Sequence, residues 1–276
     1  MTAASHTALP GTSGPGRAFG RSIFTKTLFD NRRIFTVWAA ATGLLTTGYA
    51  SFYPQITADA ANNVPKAMSG FGFDDMTSAA GYLQGAVFGL LGPLLATFYG
   101  AATGARVISA DEESGYLDLL LAHPVGRTRL LLHRFAALAA GALLIAAVVL
   151  GAMLAIRSSA KLDSISVVGF TAQALNLALL ALVFGALATA IGAATGISRA
   201  TVFGITAAVG VLAYALNGFA SQIGADWLRH LTPIHYYIGG EPLKTGFHAG
   251  AAVLSAVTVF LIALGTWRFG RRDLDR

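Results

Sequence analysis

The sequence has no cysteine and little charge, with only 12% Asp, Glu, Lys and Arg among 276 residues. Without Cys there are no disulfides, no thiolate metal sites and no thiol catalysis. Charge this sparse, against 55% hydrophobic residues and a mean hydropathy of +0.63, is not a soluble composition. A Gly-Lys pair is missing too: the four lysines follow Thr25, Pro65, Ala160 and Leu243, so no Gly-Lys-Ser/Thr loop can grip a nucleotide phosphate. No His-Glu-x-x-His motif occurs, and no Asp or Glu interrupts the long apolar runs, which leaves intramembrane metal and aspartyl chemistry without residues. The same lack of intramembrane carboxylates weakens an ion-driven carrier, although coupling through backbone carbonyls stays open.

What the chain does have is apolar length. Cutting it at every charged residue and His leaves six long runs, 34–58, 76–105, 135–156, 164–198, 200–225 and 249–267. A crossing helix needs about 20 apolar residues, so each run holds one crossing, and only 164–198 is long enough to raise the question of a second. The expected fold class is all-α: a polytopic membrane protein with six transmembrane helices. With the N-terminus cytoplasmic, 14 of the 19 basic residues fall on the cytoplasmic side, among them Arg32, Arg33, Arg106, Arg127, Arg199 and Arg272. That bias fits six spans of the cytoplasmic membrane with both termini in the cytoplasm, so the net charge of +6 reflects a lipid bilayer partner and not nucleic acid. Fifteen Arg to four Lys, with abundant Ala and Gly, suits a bacterial source.

Residues 1–16 are small, polar and turn-rich and are expected to form a disordered cytoplasmic tail, leaving 17–276 as the six-span membrane domain. From Arg17 to Arg33, Phe19, Ile23, Phe24 and Leu28 share one helical half while Arg21, Lys26, Arg32 and Arg33 lie mostly on the other. This predicts an N-terminal interfacial helix on the inner leaflet, before the chain turns into the membrane. Phe29 interrupts the pattern. Small-residue spacings at Gly85/Gly89, Gly100/Gly104 and Gly192/Gly196 would let helix backbones approach closely. The notable polar groups inside the runs are Gln84, Gln173, Asn176 and Asn217.

Residues 106–134 form the longest interior loop. Ser109 three positions before Glu112 has capping-box spacing, and Asp111, Glu112 and Glu113 would occupy a first helical turn, where acids complement the helix dipole. Leu117, Leu120 and Leu121 then make an i, i+3, i+4 face, and Pro124 stops the helix. A solvated hairpin and a docking handle fit these features equally well.

The run from Glu113 to Arg127, ESGYLDLLLAHPVGR, resembles the Leu-rich, Pro-Val-x-Arg loop of permeases in the type-2, exporter-class ATP-binding cassette family. Ser51-Phe52-Tyr53-Pro54, Leu231 to Tyr237 with Pro242-Leu243, and Arg271-Arg272-Asp273-Leu274 are similar to that family's outer loops and tail. His123 departs from its usual small residue. The resemblance implies a membrane permease subunit of an exporter that is not itself an enzyme. It binds no cofactor, since ATP and Mg belong to a partner ATPase subunit, and a second permease half completes it as a homo- or heterodimer. It further implies a coupling helix docked on the ATPase through Asp111, Glu112, Glu113, Gly115, Leu117, Leu120, Leu121, Pro124 and Arg127. His230, Tyr236 and Tyr237 would lie over the exit path, although aromatic residues at a membrane edge are commonly interfacial anchors. His230 and His235 lack a third ligand for a metal. An ion-driven carrier and a non-transporting anchor or sensor are the alternatives.

Overall fold

This computed structural model describes residues 15–56, 71, 73, 75–113 and 126–272, with side chains given for all of these except 15–22, 111 and 112. The described residues are helical, without strands. Helix α1 spans Pro15–Ala50. After a 3-10 turn at Tyr53–Gln55, α2 spans Ala79–Gly104. Next come α3, Ser109–Glu113, and the long helices α4, Arg127–Ala155, α5, Val167–Thr195, and α6, Arg199–Phe219. A cap follows, made of a 3-10 helix at Asp226–Leu231, α7 at Pro233–Ile238 and α8 at Pro242–Thr245. Helix α9, Gly250–Arg271, closes the bundle.

Among the described residues, five helices, α2, α4, α5, α6 and α9, are long and apolar enough to cross a membrane. Helix α1 falls short of that measure because its apolar part, 34–50, follows Arg32-Arg33 directly and is diluted by four threonines. It is also one uninterrupted helix of 36 residues, so no turn separates the expected interfacial segment from the run that follows. The guanidinium of Arg32 lies 3.6 Å from the Phe29 ring centroid, a cation–π contact on the aromatic that broke the amphipathic pattern and that stays exposed. The expectation for residues 1–14 lies outside the described residues.

The 164–198 run makes one helix. Helix α5 starts where Ser166 accepts a hydrogen bond from the Gly169 N–H at 3.0 Å, and it ends at Gly196, whose φ of 69° is a left-handed cap that glycine adopts without strain. Its sequence is apolar on every side, and such a helix belongs inside. Of its most apolar stretch, 72% is buried, against 28% for α9. Helices α2, α4, α6 and α9 all pack on it. The closest approach is to α2: a Cβ on Gly100 would meet the Ala181 carbonyl at 2.5 Å, and one on Gly104 the Gly185 carbonyl at 2.5 Å. The Gly100/Gly104 spacing therefore serves backbone contact within this chain. Exposed Val209, Leu212, Val259, Phe260 and Trp267 line the outer faces of α6 and α9, as helices bathed in lipid require.

Helix α2 is not a plain α-helix, as its sequence run suggested. Residues Leu83–Leu91 are π-helical, and Gly92 donates to the Val87 carbonyl five residues back. Pro93 follows at once. Its ring lacks a donor and crowds the carbonyl of Gly89 four residues earlier, and widening the preceding turns relieves that conflict.

Replacing Gly104 with Ala should force α2 and α5 apart and lower the melting temperature of the solubilised protein, at a cost of about 1–3 kcal/mol. Gly151→Ala, where nothing lies within 4 Å of the new methyl, should melt no lower than wild type. Equal melting of both variants would show that the backbone contact does not set the packing.

Candidate functional site

The two ends of the bundle differ in chemistry. At the end carrying the α2–α4 connection, charged side chains fasten helix termini. Helix α6 begins with Ser198 accepting from the Thr201 N–H at 3.2 Å. The carboxylate of Glu113 adds to this start: the Arg199 N–H donates to its Oε1 at 2.7 Å, and Arg199 Nε lies 3.3 Å from its Oε2. A carboxylate at a helix N-terminus has the sign the dipole favours. The last residue of α3 is thus tied to the first of α6, across 86 positions of sequence.

Arginines treat the opposite termini in the same way. Arg127 Nη1 donates to the Arg272 carbonyl at 2.7 Å and to that of Phe269 at 3.4 Å, closing the end of α9. Arg272 Nη1 reaches the carbonyls of Ala193 at 3.2 Å and Gly192 at 3.4 Å, at the end of α5. Arg127, expected to flank the docking segment, is therefore a link between α4 and α9. Ser109 does not form the expected capping box; its Oγ is buried without a hydrogen-bond partner and packs against Gly192, where a Cβ would come within 2.7 Å. Asp111 and Glu112 are helical, but their side chains are not described. Gly115, Leu117, Leu120, Leu121 and Pro124 lie outside the described residues.

At the other end, the cap folds over α2, α5 and α6. Asp75 accepts from the backbone N–H and hydroxyl of Thr77 and of Ser78, and lies 3.5 Å from Lys244 Nζ in the cap. Those bonds, led by the Ser78 hydroxyl and opposed by burial, hold its carboxyl well below the ordinary range. Phe71 wedges between helices: its ring lies 5.1 Å from both Tyr214 and Phe219, against Gly218. Thr232 caps α7 by accepting from the His235 N–H at 3.3 Å, and it reaches Asn217 Oδ1 at 3.4 Å.

Tyr237 departs most from its sequence expectation as an interfacial anchor or exit-path residue, being fully buried. A Cβ on Gly92 would lie 2.6 Å from its hydroxyl, so the ring pins α7 to the junction of the π segment and the rest of α2. Its hydroxyl faces Gln173 without closing a hydrogen bond of normal geometry, and both amide atoms of Gln173 and of Gln84 are buried and unpartnered. Tyr236 is half-buried, and its carbonyl meets His248 Nε2 at 3.1 Å. His230 and His235 stack with centroids 4.6 Å apart, and no group of three metal-ligating side chains forms among the described residues. Three of the four polar groups noted within the apolar runs, Gln84, Gln173 and Asn217, sit within two turns of the helix ends beneath this cap, and Asn176 lies deeper in α5.

Lipid-facing helices, a core without charge and charges kept outside the long apolar runs define a multi-pass membrane protein. The chain belongs to the ABC-2 family: the model described as ABC-2 family transporter protein matches residues 21–274, including the whole α2–α4 connection. It is a membrane permease of an ABC transporter. No curated protein matches the sequence.

His235 supplies a pH test of the cap. Burial, reinforced by His230 and Arg229, pushes its imidazole below the ordinary value of 6.5. Folding favours the neutral ring, so this stability is complete above pH 6.5 and declines as pH falls through that value, where the unfolded chain takes up the proton first. Hydrogen exchange across 226–248 should quicken between pH 7.5 and 5.5 after correction for intrinsic rates, and His235→Gln should abolish the change. A pH response undiminished in the variant would remove His235 as its source.

Proposed function

We propose that this permease is the membrane half of an ATP-driven exporter in the cytoplasmic membrane, with six crossings, α1 included, and both termini cytoplasmic. ATP and Mg are held by a separate cassette ATPase, and a second permease half completes the path. Residues 111–124 are the handle on which the ATPase acts. The observation that carries this reading is the Glu113–Arg199 clamp. A merely solvated hairpin has no need of a fastening to a distant membrane helix, whereas a handle must be fixed to something that moves. The Gly-Lys deficit supports hydrolysis elsewhere, and the 14-to-5 basic bias supports the orientation. The cap at the far end then covers the exit, with Gln84, Gln173 and Tyr237 as polar groups available to cargo or water when it lifts.

The test is reconstitution with the cassette ATPase and comparison of three variants. Glu112→Lys and Gly115→Trp should insert normally and lose ATPase association. Glu113→Gln should keep association but weaken transport-linked hydrolysis, with coupling reduced by roughly 0.5–2 kcal/mol. Full association and transport by both handle variants at wild-type expression would withdraw the coupling assignment, and robust hydrolysis by the isolated chain would withdraw the need for a partner.

A further inference from the structure

A cavity of about 230 Å³ opens beside the handle, between α1, the end of α2, the 105–110 turn and the start of α4. Its floor is apolar, formed by Phe35, Val107 and Leu138, and its mouth holds Asp30, Arg106 and Arg134. All three helices change character at this height. The apolar run of α1 starts at 34, that of α2 ends at 105 and that of α4 starts at 135, so the cavity straddles the boundary between hydrocarbon and water.

Most polar groups on its walls are already engaged. Thr27 and Thr103 donate their hydroxyls to the carbonyls of Ile23 and Tyr99, and the Asn31 amide donates to Thr27. Arg134 Nη1 donates to the Val107 carbonyl at 2.7 Å, which fixes a positive charge to the wall. The Arg106 guanidinium has no hydrogen bond or ion pair among the described residues and is exposed at the mouth.

We propose that this cavity is a binding site for the phosphate of an inner-leaflet lipid headgroup, held by Arg106 with Arg134 contributing charge. A guanidinium fork matches a phosphodiester better than any other group on a membrane surface. The volume is below the roughly 300–1,000 Å³ of pockets that enclose a drug-sized molecule, but it suits a headgroup whose chains stay in the bilayer. The apolar floor favours such an amphiphile over a free anion. Among the described residues Arg106 is the guanidinium at the mouth with no partner there, and its fixed charge favours an anionic headgroup over a zwitterionic one. Ala110 of α3 also lines the cavity, so an occupant touches the base of the handle. The inference rests on the proposed orientation, with α1 as a crossing and this end of the bundle cytoplasmic, and is independent of which ATPase it meets.

Native mass spectrometry of the full-length chain alone tests it, titrating phosphatidylglycerol, phosphatidylcholine and inorganic phosphate. One phosphatidylglycerol should be retained in preference to phosphatidylcholine. Arg106→Gln should weaken that binding about tenfold, the loss of one charge-assisted contact. Asp30→Asn should strengthen it, and Arg33→Gln, an exposed arginine of α1 that does not line the cavity, should leave it unchanged. Equal loss in the Arg33 and Arg106 variants would reduce the effect to diffuse surface charge and overturn the site. Displacement of the lipid by inorganic phosphate alone would overturn the headgroup assignment. Because no ATPase is present, either failure leaves the exporter reading standing, and failed coupling in the reconstituted complex leaves this one standing.

Discussion

Helix α5 has little but shape to hold its middle, where one long hydrogen bond, from the Thr189 hydroxyl to the Gly104 carbonyl at 3.5 Å, reaches α2. Between Gly169 and Thr195 it carries no charge, and lipid-embedded helices gain no hydrophobic drive toward one another that the acyl chains do not match. Its place therefore depends on how closely backbones approach, which is why Gly100 and Gly104 face Ala181 and Gly185 with no room for a methyl. The other long helices pack around that contact. Charged groups are displaced to the ends, where water or the headgroup layer tolerates them, while inside the bundle neutral bonds such as Tyr99 hydroxyl to Leu138 carbonyl at 2.8 Å join the helices. Arg127, Arg272 and Glu113 each meet a helix terminus of the sign the dipole requires.

That division explains what could be read in advance. Apolar run length is a local property, and five of the six runs became helices that meet the span measure. The caps at Ser166 and Ser198 and the stop at Gly196 are local too, although none of them was expected as a helix end. Three features were hidden for three physical reasons. The π segment of α2 depends on how neighbouring turns absorb Pro93, which apolar periodicity does not register. The partner of Glu113 is 86 residues away, and one sequence contains no sign of it. Arg127 looked like a docking flank because a charged residue beside a loop reads as solvated, yet α9 ends within its reach. Of the coupling residues, Glu113 and Arg127 have described side chains, and both are engaged with the bundle itself.

The cap shows the opposite failure of local reading. Tyr237 in a membrane-edge loop reads as an anchor because an amphipathic ring usually rests at the headgroups. Here Pro233 and the Thr232 cap start a helix that turns the ring inward, onto a glycine that leaves space for it. The cost is several buried polar atoms without partners, on Gln84, Gln173, Tyr237 and His235. Such groups lower the stability of whatever encloses them, so this end of the bundle resists opening less than the glycine-packed middle does.

Helix α6 connects these unequal ends. Its first residue is gripped by Glu113, and its far end carries Asn217 against Thr232 and Gly218 against Phe71. At 21 residues it is about 32 Å long, and a helix of that length without an internal proline transmits displacement along its axis with little loss. Among the long helices it packs chiefly on α2, with a lesser contact to α5. Its contact with α2 is made by Gly210 against Thr97 and by the Phe98–Phe203 pair, with no charged group to lock it. A helix fixed at one end to α3 and at the other to a weakly satisfied cap has the mechanical properties that the proposed coupling needs. Helices α4, α5 and α9 are tied together by arginines at the charged end and under that proposal form the frame against which α6 moves.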